Sequence, residues 1–191
     1  MTLPNILTFI RISLTPLICW SLSKQSYVLG FALFAIAAIT DFFDGYIAHV
    51  MNTRSAFGAF LDPLADKILV LLVFFFLAAE HLIEGILLWP CALIMFREIF
   101  VLGLRAGGHS LSHFYRTPST LFLLPVCTSA RVKTALQMIS AGLFMISPSL
   151  SSFIPGLLLS AKIMLWAAAF FSILSGITYI RQTLNLMHYG K

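Results

Sequence analysis

The chain has 191 residues, 60% of them hydrophobic and 10% charged, with a formal net charge of +5 and a mean hydropathy of +0.97. Soluble domains average about 45–50% apolar and about 25% charged residues, so a water-soluble globular protein is excluded and an integral membrane protein is expected. There is no charged tail, low-complexity run or internal repeat, no nucleic-acid partner is expected, and the three cysteines lack disulfide or metal-ligand spacing.

Apolar runs of about 20 residues mark membrane spans, and six are legible, at 4–22, 27–49, 59–80, 83–105, 132–150 and 156–180. The predicted fold is therefore an all-α bundle of six transmembrane helices in a single domain, residues 1–191. The first run carries Arg11 and lacks both a basic leading segment and a small-residue cleavage pattern, so it reads as a span and not as a cleaved signal. Residues 107–130 hold Gly107, Gly108, Pro118 and Pro125 around a short apolar run; a loop with an interfacial or re-entrant piece is predicted there. The second and fourth connections and the C-terminal tail carry Arg54, Arg105, Arg116, Arg131, Lys133, Arg181 and Lys191, whereas the first, third and fifth carry only Lys24 outside the spans. The bias of basic residues towards the cytoplasmic side then puts both termini in the cytoplasm.

All four aspartates lie within 26 positions, in the stretch TDFFDGYIAHVMNTRSAFGAFLDPLADK. A carboxylate in a membrane span costs roughly 2.5–3.5 kcal/mol on insertion scales, so four together require a cationic partner. Asp41 and Asp44 fall near the cytoplasmic end of the second span, and Asp62 and Asp66 near the start of the third, on the same side. The helical period puts Asp41, Asp44 and Ala48 on one face and Asp62 one turn from Asp66. Gly45, Ala48 and Gly58 leave the acidic faces short of side chains, so that a bulky ligand can approach, and Pro63 suits the first turn of a helix. Donors that are all oxygen favour a hard cation, Mg²⁺ or Mn²⁺, and two ions about 3.5–4 Å apart suit displacement at phosphorus. The structural alternative is that the aspartates pair with Lys67, Arg54 or Arg97 and simply hold the helices together.

Further cations fall at the same depth. Arg11 lies inside the first span, Arg97 and Arg105 lie on nearly one face of the fourth, and Arg131 and Lys133 open the fifth. Arginine suits bidentate phosphate contacts and lysine supplies a point charge, so a phosphate site beside the acidic one is expected; topology signalling and snorkelling are the alternative. His109 and His113 have helical metal-ligand spacing but no third ligand near, and read as loop residues. Neither a Gly-x-Ser-x-Gly elbow nor a phosphate-binding Gly-Lys-Ser/Thr loop occurs.

The pattern Asp41-x2-Asp44-Gly45-x2-Ala48, followed by Gly58-x3-Asp62-x3-Asp66, resembles the signature of the CDP-alcohol phosphatidyltransferase family, with His49 standing where that family carries arginine. The segments LPNILTFIRISLTPL, REIFVLGLR and VKTALQM are similar to members that use a glycerol phosphate acceptor. The resemblance implies a six-helix enzyme of the bacterial inner membrane, a homodimer whose active site faces the cytoplasm. Its donor would be CDP-diacylglycerol and its acceptor sn-glycerol 3-phosphate. By the same resemblance Asp41, Asp44 and Asp62 are metal ligands, and Asp66 touches metal and is the general base. Asp41, Gly45, Ala48 and Gly58 line the CDP site, and Arg97, Arg105, Arg131 and Lys133 are candidates for the acceptor phosphate. Two other readings stay open: a sibling using phosphatidylglycerol as acceptor, and a small cation transporter. A transporter would place its acids near the bilayer midplane in repeated halves, not in one hairpin at the edge.

Overall fold

The structure, a computed structural model, describes the backbone of residues 3–51, 56–114 and 128–189 and the side chains of 8–40, 64–104 and 132–181. Among the described residues there are six α-helices and no strand: α1 (Leu3–Ser23), α2 (Tyr27–Met51), α3 (Ala56–Ala79), α4 (Leu88–Phe114), α5 (Thr128–Leu150) and α6 (Leu157–Tyr189). A single 3-10 turn, Gly85–Leu87, leads into α4. Each of the six predicted runs therefore contains a helix. Two described stretches, Gly85–Leu104 and Leu157–Arg181, are long and apolar enough to cross a bilayer, and Thr8–Ser23 and Tyr27–Thr40 are shorter apolar helices.

Two local expectations are corrected. The loop predicted for 107–130 is helical at both of its ends, because α4 continues to Phe114 and α5 begins at Thr128. Gly107 and Gly108 each weaken a helix by only about 1 kcal/mol, and no proline intervenes before Pro118, so the helix runs through them; His109 and His113 thereby lie on α4. Pro63 is not in a first turn, since α3 already begins at Ala56. Helix-compatible residues ahead of the proline carry the helix back past it.

The ends of α1 and α3 close in the same way. The amide of Ser26 donates to the Ser21 carbonyl at 2.9 Å and that of Gln25 to Leu22 at 2.7 Å, with Gln25 in the left-handed region at φ 55°. After α3, Leu82 donates to Leu77 at 2.9 Å and His81 to Ala78 at 3.2 Å, with His81 at φ 57°. Both are Schellman closures that normally favour glycine, and the first of them leaves a connection of three residues between α1 and α2. Within α5, Pro148 cannot donate to the Phe144 carbonyl; the Ser147 hydroxyl donates to it instead, at 2.9 Å.

The chain divides into two compact units, Met1–Leu88 with Met138–Ile163, and Trp89–Gln137 with Met164–Lys191. In the first unit α1 packs against α2 and α3. The buried stripe of α1 is Thr8, Arg11, Thr15, Ile18 and Leu22, and that of α3 includes Leu69, Val73 and Leu77, both at the three- and four-residue steps that keep one helix face inward. In the second unit, α4 buries Cys91, Ile94, Glu98 and Val101 in one stripe, and α6 buries Leu165, Ala168, Ser172, Ser175 and Tyr179. The polar part of the stripe, Thr8, Arg11 and Thr15, comes first in α1, and the part with Ser172, Ser175 and Tyr179 comes last in α6.

In the first unit, a Cβ on Gly142 would lie 3.2 Å from Phe31 Cε2 and 3.7 Å from Phe34 Cε1. Gly142→Val should therefore force these rings aside and destabilise the protein by about 1–3 kcal/mol, the usual range for overpacking. A thermal melt in detergent should show the loss, while Gly103→Val, where nothing lies within 4 Å, should melt close to the parent.

Candidate active site

The residues expected to carry chemistry occupy four helices. Asp41, Asp44, Gly45 and Ala48 lie on α2, Gly58, Asp62 and Asp66 on α3, Arg97 and Arg105 on α4, and Arg131 and Lys133 on α5. Of these, Asp66, Arg97 and Lys133 have described side chains; the side chains of the other eight, and of His49, lie outside the described residues, as does Arg54 entirely.

Asp66 is held from α1. Nη1 of Arg11 donates to its Oδ1 at 2.5 Å. The two side chains differ sharply in exposure, 1% for Arg11 and 31% for Asp66. The guanidinium is thus enclosed by protein, while the carboxylate that it holds retains an accessible side. Arg11 reaches this place because it sits on the buried stripe of α1, one step from Thr8 and one from Thr15, whose hydroxyl donates back to the Arg11 carbonyl at 2.9 Å. The partners weighed from the sequence were Lys67, Arg54 and Arg97; Asp66 also meets the arginine of the first helix, and the side chains of the other three aspartates lie outside the described residues. For a hard divalent cation the fit is chemical: a carboxylate with an accessible side, one turn after Asp62 on the same helix, in a set whose donors are all oxygen.

The second unit holds a separate buried cluster centred on Glu98, whose side chain is 1% exposed. Its Oε1 accepts from Lys133 Nζ of α5, from Arg97 Nη1 at 3.3 Å and from Gln137 Nε2 at 3.5 Å. Arg97 also donates through Nη2 to Ser175 Oγ of α6 at 2.8 Å, and its guanidinium carbon lies 5.6 Å from the centre of the Tyr179 ring. Gly176 leaves room for this arginine, since a Cβ there would meet the Arg97 side chain at 3.5 Å. The structure therefore brings Arg97 and Lys133 together around a carboxylate that the sequence reading had not assigned. The signal was present: Cys91, Ile94, Glu98 and Val101 repeat at helical steps, so Glu98 had to face inward and needed a cation.

Removing one member of a buried ion pair leaves the others desolvated and costs about 3–5 kcal/mol. Glu98→Ala should thus lower the melting temperature in detergent markedly. Glu98→Gln, which can still accept from Lys133, should lose less. Equal melting of both variants and the parent would show that this carboxylate does not hold the cluster.

Comparisons with known proteins bear on the family. Residues 1–174 match the family model for CDP-alcohol phosphatidyltransferase. A CDP-diacylglycerol–glycerol-3-phosphate 3-phosphatidyltransferase of Rickettsia bellii is 40% identical over 182 residues, covering 94% of this chain and 93% of its own. A protein of the same name from Pseudomonas fluorescens is 35% identical, over 80% of this chain and 76% of its own. The human cardiolipin synthase (CMP-forming) is 32% identical over 77% of this chain but only 51% of its own. With the aspartate signature on α2 and α3 and a family match that extends from the first residue into α6, the chain belongs to the CDP-alcohol phosphatidyltransferase family.

Proposed function

We propose that this protein transfers the phosphatidyl group of CDP-diacylglycerol to sn-glycerol 3-phosphate, giving phosphatidylglycerophosphate and CMP in phospholipid biosynthesis. The observation that carries the reading is near-full-length similarity at 40% identity to a relative bearing that enzyme name, joined to an intact set of four aspartates. The match runs through residues of both units, which supports one catalytic domain.

The protein works as six membrane crossings with both termini in the cytoplasm, in a bacterial inner membrane. Large apolar side chains on the protein surface support this, among them Phe153, Trp89 and Phe96, at 84%, 77% and 71% exposed. An exposed apolar surface of this kind needs lipid or a partner to cover it. The order of polar and apolar parts along the stripes is also what alternating crossings require if all the chemistry is to sit at one face of the bilayer. A second copy of the chain completes a homodimer.

Asp41, Asp44, Asp62 and Asp66 would hold two ions, Mg²⁺ or Mn²⁺, which supply neutralisation of the donor pyrophosphate and Lewis-acid polarisation at phosphorus. Asp41, Gly45, Ala48 and Gly58 would give the cytidine diphosphate a close approach to the helix backbone. Arg105 and Arg131 would orient the acceptor phosphate, and Arg97 and Lys133, held by Glu98 in the buried cluster, would add to the positive charge that attracts it. Asp66 takes the proton of the acceptor hydroxyl, whose oxygen bonds the phosphorus carrying diacylglycerol. The phosphoanhydride bond breaks and CMP leaves with its electron pair. Positioning within reach of the hydroxyl is what lets the carboxylate act as the base.

Purified protein with CDP-diacylglycerol and a panel of acceptors tests the reading, with turnover expected for sn-glycerol 3-phosphate. Turnover with phosphatidylglycerol and none with glycerol 3-phosphate would overturn it. EDTA should abolish activity and Mg²⁺ or Mn²⁺ restore it, and Asp41→Asn and Asp44→Asn should each be inactive yet folded. Arg105→Ala should raise the KM for glycerol 3-phosphate about tenfold or more, the scale of a lost charged hydrogen bond, with little change in the KM for CDP-diacylglycerol.

A further inference from the structure

We infer that Arg11 is a positioning residue for the transfer step: it acts through Asp66, fixing that carboxylate towards the accessible side of the site. The inference rests on Asp66 being the base proposed above.

Three observations carry it. The Arg11–Asp66 bond, at 2.5 Å, takes one carboxylate oxygen, Oδ1. Arg11 lies on the enclosed side of the pair and Asp66 on the accessible side, 1% against 31% exposed, so the guanidinium supports the carboxylate from behind and does not itself face a ligand. The burial of Arg11 is also not a by-product of helix packing. The same stripe of α1 closes with Ile18 and Leu22, and α3 answers with Leu69, Val73 and Leu77, all fully buried. That apolar half packs the helices together, and Arg11 lies towards the other end of the stripe, where it meets Asp66 of α3.

A proton acceptor is efficient only when its oxygen stands within hydrogen-bond reach of the hydroxyl, and a misplacement of about 1 Å can cost about 10²-fold. A free aspartate on a helix samples several rotamers. A guanidinium with fixed fork geometry and its own backbone anchored in a buried helix removes that freedom, while the carboxylate keeps an accessible side, 31% exposed.

The test compares Arg11→Met and Arg11→Lys with the parent, alone and in an Asp66→Asn background, using whichever acceptor the parent turns over. Arg11→Met should lower kcat about ten- to hundredfold while both KM values and CMP affinity by calorimetry stay within about threefold. Arg11→Lys keeps the charge but not the fork, and should fall between Met and the parent. In the Asp66→Asn background, Arg11→Met should remove little more from kcat, and its effect on melting temperature without metal should also shrink, because coupled residues are not additive. A purely structural strut would instead lose the same factor in both backgrounds, or raise both KM values as the protein loosens, and either result overturns the inference. Should Arg11→Met not fold, Arg11→Lys decides alone: parental kcat, or a loss shared by both KM values, overturns it. If Asp66→Asn itself keeps full kcat, it is the base assignment that falls. Full kcat for Arg11→Met beside an inactive Asp66→Asn defeats only the role of Arg11.

Discussion

A carboxylate packed among apolar helices must meet a cation, and in this protein that requirement selects which residues of distant helices come together. An unpaired buried charge costs several kcal/mol after relaxation, more than any single apolar contact returns. Asp66 on α3 is met by Arg11 of α1, and Glu98 on α4 by Lys133 of α5 and by Arg97 beside it. Each pair couples segments far apart in the chain, 55 residues for the first and 35 for the second. The contacts also fix helix rotation, since each charged residue sits on the buried stripe of its own helix.

These stripes divide the labour along each helix. Where the stripe is Ile18 and Leu22, or Phe144 and Met145, close packing provides cohesion. Where it is Thr8, Arg11 and Thr15, or Lys133, Gln137 and Ser140, the stripe carries hydrogen-bonding capacity instead. Serine hydroxyls help to make this compatible with a helical interior by bonding carbonyls within their own helix, as Ser21 does to Ile18 at 2.7 Å and Ser175 to Ser172 at 3.1 Å. A small residue completes the arrangement: Gly176 on α6 lets the Arg97 side chain lie against the helix.

The two clusters differ in a way that matters for chemistry. The Glu98 cluster is closed, with its carboxylate and lysine both almost wholly buried, so it serves to hold cations at fixed places. The Arg11–Asp66 pair is closed on one side and accessible on the other. A reacting group needs such asymmetry: support from the protein behind it and access for the substrate before it.

Composition and periodicity alone determined the helical class, the six elements to within a few residues at most of their ends, and the placing of the aspartates on the second and third helices, because apolar run length and the spacing of aspartates on a helix are local properties of the chain. Local reasoning also misplaced the start of α3 ahead of Pro63 and made a loop of Gly107–Phe114, since weak helix breakers do not end a helix whose neighbours favour it. What only the tertiary structure decided was partnership. The sequence offered Lys67, Arg54 and Arg97 as cations for the aspartates by nearness along the chain, yet Asp66 is held by Arg11, and Lys133 and Arg97 converge on Glu98. Which charges meet depends on which helix faces are buried against each other, and the energy of a buried charge is set by the atoms around it in space and not by its neighbours in sequence.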